Sequence, residues 1–184
     1  MANIGRIIDY MLSNEDPKLI GKVIVDNNGA RARFGINEKF HADLTSQGFF
    51  DGMSHDDALA LARTVYVNEY CKPLMCDQIV SDEMAAKFLD IAVNAGVSEA
   101  VRLMQRSLNY QSGLIVEDGV MGAKTLDAIN HMPVEVWRGL IVIVLERFRQ
   151  AVRMAGAVHV STNDAMAWMA RDARFPNFPT EVTT

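Results

Sequence analysis

Among the carboxylates of this sequence, Glu15 has the placement that proton-transfer chemistry asks for. It follows an apolar helical pattern of Ile4, Ile7, Ile8, Met11 and Leu12 and precedes Asp16-Pro17, where the helix must stop. Proline has no amide hydrogen to continue the ladder and pushes its predecessor toward extended geometry. The Glu15 carboxylate is therefore expected at the edge of an element. Apolar surroundings favour the protonated carboxyl that a general acid needs, and Met11, Leu12 and Phe34 are the neighbours that would provide them. Asp26 and Asp90 are the candidates for a second carboxylate. Plainer readings stand beside these: Glu15 as an exposed residue closing a helix, since charged residues are mostly solvated, and Asp90 as a core-facing hydrogen-bond hub that orders the adjacent hairpin. His41, His55, His131 and His159 lack metal-ligand spacing, so no metal and no cofactor are expected.

The elements that must position these groups are mainly helical. The first helix covers roughly residues 3–13. The β-branched run Val23-Ile24-Val25, followed by Asp26-Asn27-Asn28-Gly29, reads as one small hairpin from Lys22 to about Ile36, because Asn and Gly tolerate positive φ. Arg31 and Arg33 on it are expected to pair with acids of the same lobe. Ser54 caps a helix that Pro73 ends, and Ser81 caps a second that Gly96 closes. Ser98 is read as the cap of a third. Residues 124–129 resume as helix, and Pro133 opens the longest one, to about Met154, with a core stripe of Val136, Leu140, Val144, Phe148 and Val152. A short helix is expected over residues 163–171. The spacing thus predicts a mainly α fold with a small β-hairpin near the N-terminus, divided as a lobe of residues 1–96, a helical region of 97–175 packed on it as one body, and a loose tail of 176–184.

Composition narrows the function classes. The chain has 184 residues, 49% hydrophobic and 22% charged, as a folded globular protein does. A net charge of −5 argues against a nucleic-acid binder, which needs a basic face to displace counterions. The longest apolar run, Leu140 to Leu145, is too short to span a bilayer. The start lacks a secretory pattern, so synthesis in the cytoplasm is expected. Cys71 and Cys76 have neither a redox nor a zinc spacing and read as buried thiols.

One set of residues resembles a known family. Glu15-Asp16, Gly21, Asp26, Gly29, Arg31 and Arg33 to Ile36, then Tyr66, Tyr70 and Leu89 to Gly96, are similar in order and spacing to the phage-type muramidases of glycoside hydrolase family 108. Met104 to Asn109, then Asp118 to Gly122 with Thr125 and Ile129, resemble the predicted peptidoglycan-binding region that accompanies them, with a weaker echo at Trp168 to Arg171. The resemblance implies a lysozyme-like helical fold, Glu15 as the general acid, and cleavage between N-acetylmuramic acid and N-acetylglucosamine. In many members two glycines and a tyrosine follow this glutamate, whereas Asp16-Pro17-Lys18 stands here.

Glycosidic cleavage also wants a second carboxylate, as nucleophile or as base for a water, and Asp26 is the candidate. The substrate-facing set expected from these readings is Arg31, Phe34, Tyr66, Tyr70, Asp90 and Asn94. The tyrosines can stack on sugar faces or simply pack, and Asn94 can bond an acetamido group or cap its helix. The implied function is an endolysin-like monomer, made in a bacterial host and brought to the periplasmic wall by a holin or a secretion machine. A lytic transglycosylase, an interbacterial wall-degrading effector and a non-catalytic wall-binding or virion module are the alternatives.

Overall fold

The structure is a computed structural model and describes residues 1–25, 29–111, 113–154 and 169–178. Helix α1 (Ile4–Glu15) starts at Asn3, whose side chain accepts from the Arg6 amide, and ends two residues beyond the sequence expectation. Its last residue is Glu15, and Asp16 closes the final turn with its amide on the Leu12 carbonyl. Ile7, Ile8, Met11 and Leu12 are all buried, at about 2 kcal/mol of transfer free energy each. That burial fixes the rotation of α1 and hence the direction in which Glu15 leaves it.

Three short strands follow: β1 (Ile24–Val25), β2 (Arg31–Arg33) and β3 (Ile36–Asn37), antiparallel in the order β1-β2-β3. The expected hairpin is the β1–β2 pair, with Ile24 opposite Ala32. A second, tighter hairpin was not foreseen. Arg33 pairs with Ile36 across the two-residue loop Phe34-Gly35, and both loop residues have positive φ, +51° and +79°. This is the twist-matched geometry of two-residue hairpins, with phenylalanine at a position where Asn or Gly is usual.

A 3₁₀ turn, Glu38–Phe40, and α2 (Ala42–Ser46) lead to α3 (His55–Val65), which Ser54 caps as expected. Helix α3 runs on as a π-helical segment, Tyr66–Cys71, before Pro73. Helix α4 (Asp82–Ala95) is capped by Ser81 and stopped by Gly96, and Gly96 also opens α5 (Val97–Asn109), so Ser98 lies inside α5 and is not its cap. Helices α6 (Ala123–His131) and α7 (Val134–Met154) complete the body.

The expected stripe of α7 is met in part: Val144 is buried and Leu140, Phe148 and Val152 are half-buried. Trp137, Ile141, Val144 and Leu145 are buried, while Val136 is 39% exposed. Burying the indole removes the largest apolar surface on the helix, and the rotation that achieves this turns Val136 outward. One apolar cluster runs without a break from Ile7 in α1 through Phe88 in α4 and Met104 in α5 to Trp137 in α7.

The chain then returns to its beginning. Residues 169–172 form a helical turn, and 163–168 of the expected short helix, with Trp168, lie outside the described residues. Phe175 stands edge-on to Trp137, Pro176 is buried, and Phe178 meets Tyr10 of α1 at 6.2 Å with Arg6 over its ring. The first residues of the expected loose tail are therefore packed on α1, and 179–184 lie outside the described residues.

Candidate active site

Glu15 lines a groove of about 340 Å³ that also takes in Pro17, Ile20, Ile24 and Phe34. A second groove of about 450 Å³ holds His41, Glu69, Tyr66 and Tyr70. The two share Gly35 and Asn37, so the Phe34-Gly35 loop stands between two halves of one depression.

That loop is fixed from three sides. Tyr66, 1% exposed, donates its hydroxyl to the Phe34 carbonyl at 2.8 Å. The Phe34 ring covers Gly21, where a Cβ would come within 2.3 Å of it. A Cβ on Gly35 would meet Glu15 Cγ at 2.6 Å and the Tyr66 hydroxyl at 2.7 Å. Gly35 is therefore where the hairpin backbone passes the Glu15 side chain, and any other residue would push one of them aside. Arg33 braces the sheet beneath. It is buried and donates to the carbonyls of Gly21, Phe49 and Met53 at 2.8, 2.8 and 3.1 Å, in place of the acid partner expected for it.

The surroundings of Glu15 differ from the apolar ones foreseen. Its side chain is 19% exposed, and its Oε1 accepts from Arg171 Nη2 at 2.7 Å. The same nitrogen and Nε of Arg171 donate to Oδ1 of Asp90 at 2.7 and 2.9 Å. Asp90 also accepts from Asn14 Nδ2 at 3.3 Å and from Lys87 Nζ at 3.4 Å. Burial works against the charge on Arg171, but Asp90 and Glu15 outweigh it and hold the guanidinium firmly protonated. Lys87 is fully buried, and that burial lowers its pKa against the opposing pull of Asp90 and Asp172. Burial, then the charges of Glu15 and Tyr70, raises the Tyr66 pKa; burial and Glu69 raise that of Tyr70. Both tyrosines are neutral hydrogen-bonding groups at ordinary pH.

The expected residues divide accordingly. Glu15, Phe34, Tyr66 and Tyr70 come together at the depression. Asp90 does not face it: it is buried, its carboxylate is taken by Arg171, Lys87 and Asn14, and it is a hub as the plainer reading held, though for the C-terminal segment and not for the hairpin. Asn94 bonds back to the Asp90 carbonyl, and the Arg31 guanidinium is taken by Glu38 and Asp51. Asp26 lies outside the described residues. Gln105, Asp118 and Thr125 join one another at 2.8 and 3.3 Å and stitch the loop between α5 and α6. Arg171 is the site residue that the sequence did not single out as one. Its only signal there was the faint echo ending at Arg171.

Residues 24–96 match the family model Glycosyl hydrolase 108. The glycosyl hydrolase 108 match takes in the sheet, the Phe34-Gly35 loop, both tyrosines and Asp90, and it begins after Glu15. The family resemblance read from the sequence is thus shown over that stretch. The fold is similar to the structure of Brucella abortus SagA, with a TM-score of 0.64 over 92% of this chain and 89% of that one, at 17% identity. At that identity the likeness speaks for the fold alone. No curated protein matches the chain. Among the described residues no single helix is long and apolar enough to cross a membrane.

Proposed function

We propose that the protein is a peptidoglycan hydrolase of the muramidase type, with Glu15 as the general acid. The observation that carries this reading is the close approach of Glu15 to the Phe34-Gly35 loop in the middle of a two-part depression. A glycan strand laid along it places a glycosidic bond at the carboxyl, with sugars on either side. Glu15 protonates the leaving oxygen as the C–O bond breaks, and the sugar on the other side passes through an oxocarbenium-like state. Tyr70 offers a hydrogen bond along the groove, and the exposed edges of Ile20 and Ile24 form an apolar lip beside Glu15.

The second carboxylate is assigned to Asp26, which follows groove-lining Ile24 by two residues and β1 by one. It activates the water that attacks the anomeric carbon. Attack by the sugar's own hydroxyl would make the protein a lytic transglycosylase, and the two are told apart by the ends they leave, reducing or anhydro. The site of action is the periplasmic wall, reached through a holin pore as an endolysin or through a secretion machine as an effector. The region after Gly96 serves the lobe as a structural partner in one body and contributes wall affinity.

A non-catalytic wall-binding body is the second reading, and it draws on the Arg171 ion pair, which engages Glu15 within the chain. The discriminating experiment is a zymogram on purified cell walls and lysis of chloroform-treated Gram-negative cells, with wild type beside Glu15→Gln. The amide keeps the shape of the side chain and has no proton to deliver. A clearing band for wild type and none for the variant is expected, and equal clearing by both would refute the role of Glu15.

A further inference from the structure

Among the described residues Arg171 is the one cation bonded to the Glu15 carboxylate, although 156 positions separate them in sequence. It is held before any substrate arrives. Its Nη2 spans the two acids at 2.7 Å each, its Nε adds a second bond to Asp90, and its own carbonyl accepts from Lys87 Nζ at 2.8 Å. Lys87 is anchored in turn by Asp90 and lies over the Phe175 ring. The next residue, Asp172, is buried and paired with Arg149 of α7 at 3.2 Å. Both the side chain and the backbone of Arg171 are thus tied to α4, and its segment is tied to α7.

We infer that Arg171 is a positioning residue for the general acid, holding Oε1 of Glu15 so that the proton is carried and delivered by Oε2. The inference rests on the muramidase reading above. An oxygen that accepts from a guanidinium is the wrong one to present an O–H to a substrate, and among the described residues nothing bonds to Oε2. When the proton leaves Oε2 for the glycosidic oxygen, negative charge appears on a carboxylate whose other oxygen already touches a fixed cation. That contact is stronger after proton transfer than before it, which is the condition for an interaction to act on kcat and leave KM alone.

Asp90 takes two of the three bonds described for the Arg171 guanidinium, so the fork is held in place whichever way Glu15 turns. The other groups that bear on Glu15 are few. Tyr66 and Tyr70 on the continuation of α3 are neutral, Lys87 is spent on Asp90 and the Arg171 carbonyl, Lys22 lines the same groove, and Asp16 accepts from the Gly21 amide at 2.7 Å. Removing Arg171 therefore takes away the group that fixes which oxygen of Glu15 faces the substrate.

The test uses the full chain, with soluble uncrosslinked glycan strands as substrate, and compares wild type, Glu15→Gln, Arg171→Met and Arg171→Lys. Arg171→Met is expected to lose about 10- to 100-fold in kcat with KM within about twofold. Arg171→Lys recovers part of kcat, because it keeps the charge and loses the fork. An Arg171→Met enzyme within about twofold of wild type in kcat would overturn the inference. So would an effect on KM alone, or a loss of kcat with no recovery in the lysine variant. Should Arg171→Met show no cooperative melting, Arg171→Lys decides alone: reduced kcat with KM unchanged supports the role, and wild-type kcat refutes it. Activity undiminished in Glu15→Gln would remove the muramidase reading and this inference together, whereas an inactive Glu15→Gln beside an indifferent Arg171→Met removes only the latter.

Discussion

Replacing Gly35 by alanine strikes the place where the hairpin meets the acid. At φ +79° a side chain costs about 1 kcal/mol. The new Cβ would lie 2.6 Å from Glu15 Cγ and 2.7 Å from the Tyr66 hydroxyl, so both cannot stay where they are. Tyr66 is a rigid, buried ring whose hydroxyl holds the Phe34 carbonyl, and losing that bond costs about 1 to 3 kcal/mol. The total, about 2 to 4 kcal/mol, corresponds to a fall in Tm of roughly 4 to 16 °C for a chain of this size. If Glu15 yields instead, a displacement of about 1 Å costs roughly 100-fold in turnover. Thermal denaturation and wall-lysis rates read the two. Gly139→Ala is the control: Gly139 lies in α7 with nothing within 4 Å of a new Cβ, so the same change there should stabilise by about 0.5 to 1 kcal/mol. A Gly35→Ala protein within about 2 °C and twofold of wild type would refute the close-approach argument.

Two further outcomes follow from the same structure. Tyr66 has its folded-state pKa raised above the ordinary 10.0 by burial and by the charges of Glu15 and Tyr70, so the stability it contributes is fully present below about pH 10 and is lost as pH climbs beyond that; melting scans should show a shallower alkaline decline for Tyr66→Phe than for wild type, and parallel declines would contradict it. A chain cut after Gly96 loses the α7 residues Trp137, Ile141, Val144 and Leu145 from the shared cluster and Arg171 from the site. At about 25 cal/mol per Å² of exposed apolar surface it should be insoluble or molten, and a cooperative thermal transition with retained wall cleavage would show that the lobe stands alone.

Glu15 and its helix were legible because both signals are local: an apolar 3.6-residue pattern and a proline that ends it. Ser54 and Ser81 were legible as caps for the same reason, but Ser98 was misread because Gly96, in an extended turn with φ +84°, already serves both neighbouring helices. The Phe34-Gly35 turn escaped because phenylalanine is a poor signal for positive φ, and what holds it there, its ring on Gly21 and the Tyr66 hydroxyl on its carbonyl, comes from distant parts of the chain. Trp137 was missed on the buried face of α7, and Val136 was placed there instead, because spacing alone does not rank side chains by the surface they bury. Arg171 could not be placed at all, since its partners sit 156 and 81 residues away in the chain. Asp90 illustrates the limit in reverse: the sequence offered both catalysis and support, and only its burial under two cations separates them.

Glycosidic cleavage by proton delivery from Glu15 can be read from mass spectrometry of the muropeptides released from purified walls by wild type and by Glu15→Gln. Fragments ending in reducing N-acetylmuramic acid are expected from the wild type and none above background from the variant, with the two proteins melting at the same temperature to within about 2 °C. Muropeptides released by Glu15→Gln at the wild-type rate, or a folded wild type that releases none, would contradict it.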